Sequence, residues 1–406
     1  MPTHVKRLPK QDIVGWVDQM TLGFHHNLPE TFPEHLLTTI DLERTWAAYD
    51  GAKVVGTLRS FATELTVPGP AEISAAALTN VTVAPTHRRR GLLTGMITSD
   101  LKASKELGEP AGILIASEWP IYGHFGYGPA VQGAQYHVDT AALQWRRPSE
   151  GTVEIVDRTT MRTAARAVYE TWRVTQPGAI GRDDHWWDRA LHQIEVPGDD
   201  PPKERNGLYR SPAGEIEGYV RYHTKADWEG MRPKGRLELD ELVAVTPAAY
   251  QALWDYCASV DLLVEIQAGD RPIDDHLQLL LVNGRHVKQT MRFDFIWVRV
   301  LDTVAALEGR RYQGEGRVVI EVVDDLGLTG GRFALEGGAD GASCKATGET
   351  ADLTMPVGTL GAAYLGGESF KRLQAAGWLD ENTAGSVRRA DQMFLTPGAP
   401  WCNTWF

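Results

Sequence analysis

The stretch that most constrains this chain runs from Val81 to Leu93 and reads VTVAPTHRRRGLL. Val81 and Val83 alternate with a polar residue, which is the period of a half-buried strand, and Pro85 ends the pattern. After Gly91, apolar residues recur with the spacing of one helix face. A turn between such a strand and helix aims backbone N–H groups at one point, beside the positive end of the helix dipole. Three consecutive arginines strengthen that field, so the segment predicts a pyrophosphate site.

The same segment resembles the acyl-CoA-binding motif of the GNAT acetyltransferases, Arg/Gln-x-x-Gly-x-Gly/Ala. It reads Arg88-x-x-Gly91-x-Leu93 here, with leucine where that family has a small residue. The alternative is a surface loop whose arginines are only solvated. The resemblance implies that the following residues bind acetyl-CoA: Val81, Thr82, Val83, Arg88, Arg89, Arg90, Gly91, Leu92, Leu93 and Thr94.

A second informative segment follows the apolar run GILIA at residues 112–116, which suits a strand buried in a parallel sheet. It contains Tyr122-x-x-x-Gly126-Tyr127, which resembles a GNAT motif whose first tyrosine is the general acid. A phenol suits that role because its pKa of about 10 lies near that of a departing thiol, about 8.5. The role falls to Tyr122, whereas Tyr127 is interpreted as a packing aromatic. Ser117 and Glu118 are predicted to line the thioester end of the acetyl-CoA site.

The last seven residues, PWCNTWF, are apolar and aromatic, whereas chain termini are usually polar and frayed. A buried terminus is predicted, and its carboxylate must then be paired or used. With the two segments above, this end resembles the Eis (enhanced intracellular survival) family of bacterial N-acetyltransferases over essentially the whole chain. That resemblance implies that the carboxylate of Phe406 is the general base. The alternative is that the terminal aromatic residues only anchor the last domain.

The length and charge of the chain limit its class. Its 406 residues are too many for one core. The net charge of −12 argues against a nucleic-acid partner. No apolar run is long enough to span a membrane and no signal peptide is evident, so we expect a cytoplasmic protein with no membrane partner. Three scattered cysteines indicate neither a disulfide framework nor a zinc site.

The predicted fold class is α/β (α+β), with two GNAT-like domains in tandem and a sterol carrier protein-like α/β domain after them. Residues 1–140 are predicted to form the catalytic domain, with Asp12 as the N-cap of its first helix. Residues 141–295 are predicted to form a second GNAT-like domain without a CoA site, because Thr246-Pro247 stands where a basic loop would be. Residues 296–406 are predicted to form the last domain, whose C-terminus enters the active site.

Other acidic, histidine, cysteine and aromatic residues are also site candidates. Asp183-Asp184-His185 and Asp274-Asp275-His276 could suggest a metal, but polar turns are favoured because adjacent side chains point in different directions, so no metal is predicted. Cys402 is interpreted as a small buried hydrophobe rather than a nucleophile. The Eis resemblance places the acceptor near an N-terminal loop, so His25 and Phe32 are substrate-pocket candidates. Solvated or packing roles remain open for both.

The resemblance implies acetyl-CoA-dependent N-acetylation of a small-molecule primary amine. The implied acceptors are aminoglycosides, modified at several positions, which would confer antibiotic resistance, and the implied assembly is a homohexamer. Lysine side chains or polyamines are the alternative acceptors, and a non-catalytic CoA-binding protein is the alternative class. Lipid carriage by residues 296–406 is disfavoured because their terminus is assigned to the active site. The helix predicted over residues 300–306 opens this last unit.

Overall fold

The structure is a computed structural model that describes residues 3–200 and 202–406. The elements up to residue 131 are β1 (Thr3–Arg7), α1 (Ile13–Phe24), α2 (Phe32–Leu36), β2 (Thr45–Asp50), β3 (Lys53–Val67), β4 (Ala71–Val83), α3 (Leu92–Glu106), β5 (Ala111–Ile115), α4 (Trp119–Tyr122) and β6 (Gly128–Pro129).

The next elements, as far as residue 300, are β7 (Gln132–Asp139), β8 (Thr152–Val156), α5 (Arg158–Arg173), α6 (Asp184–Ala190), β9 (Arg205–Arg210), β10 (Ile216–Lys225), β11 (Trp228–Glu229), β12 (Arg232–Pro233), β13 (Gly235–Ala244), α7 (Pro247–Ala258), β14 (Leu263–Arg271), α8 (Leu277–Leu280), β15 (Val287–Asp294) and β16 (Ile296–Val300).

The last elements are α9 (Thr303–Glu308), β17 (Gly316–Val323), β18 (Gly331–Gly338), β19 (Gly341–Ala346), β20 (Leu353–Pro356), α10 (Val357–Ala363), α11 (Phe370–Ala375), β21 (Asp380–Glu381) and α12 (Ser386–Phe394). No helix in the described part of the chain has the length and apolarity needed to cross a membrane.

The first sheet positions the predicted CoA segment. Its seven strands lie in the order β1-β2-β3-β4-β5-β16-β6. Strands β4 and β5 are parallel, paired from Ala75 with Ala111 to Leu78 with Leu114. Beyond that register β4 continues to Val83, whereas β5 ends at Ile115, so the two strands part. The mostly antiparallel sheet with one parallel pair is the predicted arrangement.

The sheets exchange strands near the predicted domain boundaries. β7 precedes the boundary at residue 140 but lies in the second sheet, between β15 and β14. β16 follows the boundary at residue 295 but lies in the first sheet, between β5 and β6. All five of its residues are buried, because it is covered on both faces and paired on both edges. The boundaries predicted at residues 140 and 295 therefore assign β7 and β16 to domains whose sheets they do not join.

Two local predictions are corrected. The helix predicted over residues 300–306 begins only at Thr303, because Val300 still pairs within β16 and Asp302 caps the helix by accepting from the Ala305 N–H. Asp12 does not cap α1 with its side chain. Its carboxylate instead accepts a hydrogen bond from the Tyr49 hydroxyl at 2.8 Å, which ties the start of the helix to β2.

The second sheet repeats the plan of the first, in the order β15-β7-β14-β13-β10-β9-β8. Its β13 and β14 are parallel, as β4 and β5 are. Between them, α7 begins at once after β13, and the Thr246 hydroxyl accepts from the Ala249 N–H at 3.2 Å. The first turn of α7 therefore has a side-chain cap where α3 has the arginine loop.

The third sheet, in the order β19-β18-β17-β20-β21, packs through its helices against the first. One apolar cluster contains Ile113 and Val298 of the first sheet together with Leu353 and Phe394 of the third domain. The backbone comes closest at Gly128, where an added Cβ would lie 1.8 Å from the Gly358 carbonyl oxygen. This contact requires glycine because any side chain would displace α10.

Replacement of Gly128 by Ala should therefore destabilise the protein by about 3 kcal/mol, the upper end for forced overpacking. The measurement is the free energy of unfolding in urea. Gly348→Ala is the matched control, because an added Cβ there meets no atom within 4 Å, and it should change stability by less than about 0.5 kcal/mol. Equal stability of the two variants would contradict the close approach of the domains.

Candidate active site

The arginine loop leaves the N-terminus of α3 without a side-chain cap. Gly91 occupies the N-cap position with φ of 74°, and Arg89 also has a positive φ, of 62°. Such alternation points successive N–H groups into one concavity, which is a geometry that binds anions. The three arginine side chains are exposed, and Arg90 donates a hydrogen bond to the Thr86 carbonyl at 3.2 Å. The space over Gly91 is open, since an added Cβ would meet nothing within 4 Å.

The end of β4 borders this loop. Thr82 pairs with Thr57 of β3 on one side, and the other edge of β4 faces the space left where β5 ends. The Thr82 side chain points inward, with its hydroxyl 2.8 Å from that of Thr57. Thr82 can therefore reach a ligand in the cleft only through its backbone, as one strand reaches another.

Tyr122 lies at the end of α4, in the turn that follows β5. Its side chain is 5% exposed, and its carbonyl accepts from the Tyr127 N–H at 3.2 Å. Burial raises the pKa of the Tyr122 phenol above 10.0, a hydrogen bond with Ser117 opposes that rise, and Glu118 adds to it. The phenol is therefore protonated at neutral pH and can donate its proton.

Tyr127 occupies a different environment, although it is five residues away. It is 2% exposed, and its hydroxyl lies 3.0 Å from the position that a Cβ on Gly112 would take. Its ring stands edge-on to that of Tyr122, with centroids 6.4 Å apart. Tyr127 thus packs beneath the turn as a buried aromatic residue.

The C-terminal tail runs between the first two domains. The Trp405 indole donates to the Asp270 carboxylate at 2.8 Å, and the Trp401 indole donates to the Asp270 carbonyl at 2.9 Å. The Phe406 ring stands edge-on against Phe61 of β3, with centroids 5.5 Å apart. The last residue therefore lies against the sheet of the first domain, although it belongs to the third.

Arg182 is the main anchor of this tail, and it was not among the sequence candidates. Its side chain is buried, and its Nε donates to the Thr404 hydroxyl at 2.9 Å. Its Nη2 donates to Glu241 at 2.7 Å, and Glu241 also accepts from the Asn403 amide at 2.7 Å. The guanidinium lies 3.8 Å from the centroid of the Tyr169 ring. Two tail residues are thus bound to one buried ion pair of the second domain.

The candidate acceptor residues lie on different elements of the first domain. His25 is exposed and ends α1 in the left-handed region, with φ of 57°. Phe32 is partly buried at the start of α2, 6.2 Å from the His35 ring, measured between centroids. The structure adds His185 of the second domain, whose ring centroid is 6.2 Å from that of His35. Side chains of the first two domains therefore meet beside α2, which the order of the sequence does not reveal.

The other candidates have structural roles. Asp183 caps α6 by accepting from the Trp186 N–H at 2.6 Å, and Asp275 forms a buried ion pair with Arg271 at 3.0 Å. Burial raises the pKa of the Cys402 thiol to about 11, so it is protonated at neutral pH and suits a packing role. The buried cysteine is as interpreted from the sequence. The polar-turn interpretation is wrong for Asp183-Asp184-His185, because Asp183 is the N-cap of α6 and the next two residues form its first turn.

Comparison with known families finds three successive domains. Residues 4–130 match an acetyltransferase (GNAT) domain, and residues 178–300 match a second acetyltransferase (GNAT) domain. Residues 303–403 match a sterol carrier protein domain. The three units are therefore those expected from the sequence pattern.

Comparison with whole proteins gives the family. The N-acetyltransferase Eis of Mycobacterium tuberculosis is 36% identical over 360 residues, which cover 85% of this chain and 84% of that protein. This chain belongs to the Eis family of N-acetyltransferases. An uncharacterized N-acetyltransferase of Streptomyces avermitilis is 38% identical over 411 residues, covering 99% of this chain and 98% of that protein.

Solved structures agree with this placement in the Eis family. The crystal structure of Eis1 from Mycobacterium abscessus has a TM-score of 0.88 and 32% identity, and the match covers 99% of this chain and 100% of that one. A GCN5-related N-acetyltransferase from Anabaena variabilis has a TM-score of 0.87 at 20% identity over the full length of both chains. The second match concerns the fold alone. The protein is thus an acetyltransferase of the GNAT type.

Arg182 should be needed to position the tail as well as for stability. Arg182→Met leaves the buried Glu241 carboxylate with Arg221, at 3.8 Å, as its remaining charged partner, which should cost about 3 kcal/mol in the free energy of unfolding. The double variant Arg182→Met/Glu241→Leu removes both charges and should recover most of that stability. It should still lose acetyl transfer at saturating substrates, because Thr404 and Asn403 lose their anchor. Recovery of activity together with stability would show that Arg182 only stabilises the fold.

Proposed function

We propose that this protein is an acetyl-CoA-dependent N-acetyltransferase that acetylates primary amines. One observation carries the proposal. In the first domain, β4 and β5 part beside an uncapped, arginine-rich helix N-terminus, whereas the corresponding helix of the second domain is capped by Thr246. The binding site for the acetyl donor, acetyl-CoA, is therefore assigned to the first domain only.

The residues of this cleft suit acetyl-CoA, which supplies the activated acetyl group. The backbone of Val81–Val83 would hold the pantetheine arm. The N–H groups of Gly91–Thr94 would hold the pyrophosphate, with Arg88–Arg90 providing positive charge. Ser117 and Glu118 lie exposed after β5 and would border the thioester. Acetyl-CoA can therefore bind in this way without any buried side chain moving out of the core.

The proposed chemistry uses one base and one acid. The acceptor ammonium gives a proton to the Phe406 carboxylate, directly or through a water molecule, and its nitrogen then attacks the thioester carbonyl. As the C–N bond forms and the C–S bond breaks, the Tyr122 phenol gives its proton to the CoA sulfur. The nitrogen then loses its second proton through solvent water, which also returns a proton to the Tyr122 phenolate, so the products are the neutral amide and CoA thiol. The raised pKa of Tyr122 keeps that proton in place until the sulfur takes up negative charge.

The acceptor class is proposed from the family resemblance. Aminoglycosides, acetylated at several positions, are the class that it implies, and polyamines and lysine side chains are the alternatives. His25 and Phe32 remain candidates for acceptor contacts. The homohexamer and the cytoplasmic location remain predictions.

The test of the proposed function is thiol release from acetyl-CoA with a panel of aminoglycosides, polyamines and lysine peptides. We expect amine-dependent release of CoA. Acetyl-CoA should also raise the stability of the protein by about 2.7 kcal/mol at a hundred times its dissociation constant. A stabilising effect without release on any amine would identify a non-catalytic CoA-binding protein.

Tyr122→Phe should lower kcat by roughly 10²–10⁴-fold with little change in acetyl-CoA affinity, because only the proton donor is removed. Tyr127→Phe is the matched control and should retain most of the activity. In the wild-type enzyme, the rate should not fall through ionisation of Tyr122 at any pH below 10.0, because burial raises the pKa of this phenol above that ordinary value. Steady-state kinetics across pH measure both effects, and equal sensitivity of the two tyrosines would contradict the assignment.

Addition of one glycine after Phe406 should abolish most activity, because the carboxylate becomes an amide that cannot accept a proton. Deletion of Phe406 should do the same, since it moves the carboxylate back by about 3.5 Å. Acetyl-CoA should still stabilise both variants. Phe406→Leu keeps the terminal carboxylate and should be much more active than either. If it were as impaired as the extended chain, the terminus would serve only as an anchor.

A further inference from the structure

The second domain contains a pair of parting strands like the pair proposed to hold acetyl-CoA in the first. Its β13 and β14 pair in parallel as far as Leu239 and Ala268, and both strands continue beyond that register. In the first domain, the pantetheine arm is proposed to lie in the equivalent gap, beside Val81 of β4. The residues that fill the gap of the second domain therefore determine what this site can bind.

Arg271, the last residue of β14, reaches across the gap. Leu242 of β13 lies three residues beyond the last parallel pair, which is also the position of Val81 in the first domain. The Leu242 carbonyl accepts a hydrogen bond from the Arg271 Nη1 at 2.9 Å. Asp275 accepts from the Nη2 of the same guanidinium at 3.0 Å, and this ion pair is buried. A buried side chain thus makes the strand contact that pantetheine is proposed to make in the first domain.

The C-terminal tail, residues 399–406, lies over this filled gap. The Trp401 ring covers the Arg271 guanidinium, with 4.9 Å between the ring centroid and the guanidinium carbon. The Asn403 amide donates to the Glu241 carboxylate of β13 at 2.7 Å. The tail therefore contacts β14 through one residue and β13 through another, and it bridges the two strands where they part.

The backbone of the tail is also bound by the second domain. The Asp274 carboxylate, just after β14, accepts from the Ala399 N–H at 2.8 Å. The Gln176 amide donates to the Ala399 carbonyl at 3.2 Å, from the loop that follows α5. In the same loop, the Pro177 carbonyl accepts from the Trp401 N–H at 2.8 Å. Main-chain hydrogen bonds of this kind are how a protein groove binds an extended peptide.

Trp401 has the properties of a binding anchor. Its side chain is 5% exposed, and its ring stands edge-on to that of Trp172 of α5, with centroids 5.1 Å apart. Buried aromatic residues of this kind usually carry much of the binding energy of an interface. Residues 395–398, which join the tail to α12, are irregular and mostly exposed. The tail is thus a short bound segment on an exposed linker.

We propose that the parting strands β13 and β14 form a peptide-binding site in place of a second donor site, and that its ligand is the extended segment 399–406 with Trp401 as the anchor. The tail is then a ligand of the second domain that is only tethered through the third. The site should take a free peptide of the same sequence. This binding does not require the proposed role of Phe406 in catalysis.

The test cuts the tail from the folded, full-length enzyme. A specific protease site is inserted between Pro397 and Gly398, in the exposed linker, and the purified enzyme is cleaved there. We expect the cut enzyme to retain its tail when concentrated, to release it on dilution without unfolding, and to rebind a synthetic peptide of residues 398–406 saturably. Calorimetry measures the binding and circular dichroism the fold. Unfolding when the tail leaves, or no saturable rebinding, would overturn the proposal.

Substitutions in the synthetic peptide locate the anchor, because they cannot unfold the protein. Trp401→Ala in the peptide should weaken binding by at least roughly 30-fold, as for the aromatic anchor of an interface. Cys402→Ala is the matched control. It removes one sulfur atom from a residue that packs in the apolar cluster of the first and third domains, so it should weaken binding only a few-fold. Equal affinity of these two peptides would contradict the assignment of the anchor and overturn the proposal.

Asp274→Ala in the cut enzyme tests the second-domain side of the contact. Asp274 is exposed, and its removal should weaken binding of the native peptide by roughly 3–10-fold, the value of one hydrogen bond. Asp261→Ala is the matched control, because Asp261 is exposed near the opposite end of β14, and it should bind as the unsubstituted enzyme does. If both variants bound the peptide equally, it would not lie where β13 and β14 part, and the proposal would fail.

Activity separates this site from the proposed function. The native peptide should restore acetyl transfer to the tail-free enzyme, whereas a peptide that ends in an amide at Phe406 should bind equally well and restore none. Restoration by the amide would support the peptide site and overturn the carboxylate mechanism. Full acetyl transfer by the tail-free enzyme, together with saturable peptide binding, would have the same meaning.

Discussion

The structure depends on the pairing of β16 with β5. Residues 296–300 leave the second domain, enter the first sheet and pair antiparallel along the whole of β5. They are buried on every side, and Arg299 of this strand forms a buried ion pair with Asp324 of the third domain at 2.8 Å. The Asp324 carboxylate also accepts from the backbone N–H groups of Leu328 and Thr329. Three domains are therefore joined at one strand, which completes the first sheet and is tied to the third domain by its arginine.

This arrangement explains why a catalytic centre can be shared among distant segments. The loop at Gly91 and the turn at Tyr122 belong to the first domain, whereas Phe406 arrives from the third. The tail that carries it is bound to Arg182 and Glu241 of the second. A carboxylate at the end of a chain would be mobile if it were free. Here the residues just before it are fixed by a buried ion pair, which would hold the proposed base at one defined distance from the proton that it accepts.

The sequence predicted those features that are encoded locally. The alternation of Val81 and Val83 predicted the end of β4, and the glycine after three arginines predicted the start of α3. The aromatic residues at the terminus predicted a tail that packs against the other domains. The exchange of β7 and β16 between sheets could not be predicted in this way, because a buried strand has the same composition in either sheet. Arg182 and His185 were missed for a similar reason. Each is a single polar residue whose partners lie far away in the sequence, so nothing near it reveals the contact.

Net charge was likewise a poor guide to the cleft. A total of −12 suggests that a cationic acceptor would be attracted to the surface. Within the cleft, however, the sign depends on which acids are already engaged, and the carboxylates of α6 are paired with α5. Interactions between charges at the protein surface are screened within about 10 Å at ordinary ionic strength, whereas partly buried charges are screened less. Partly buried charges near the tail, such as Asp270, should therefore act on a bound amine more strongly than the overall charge, which acts mainly on its approach.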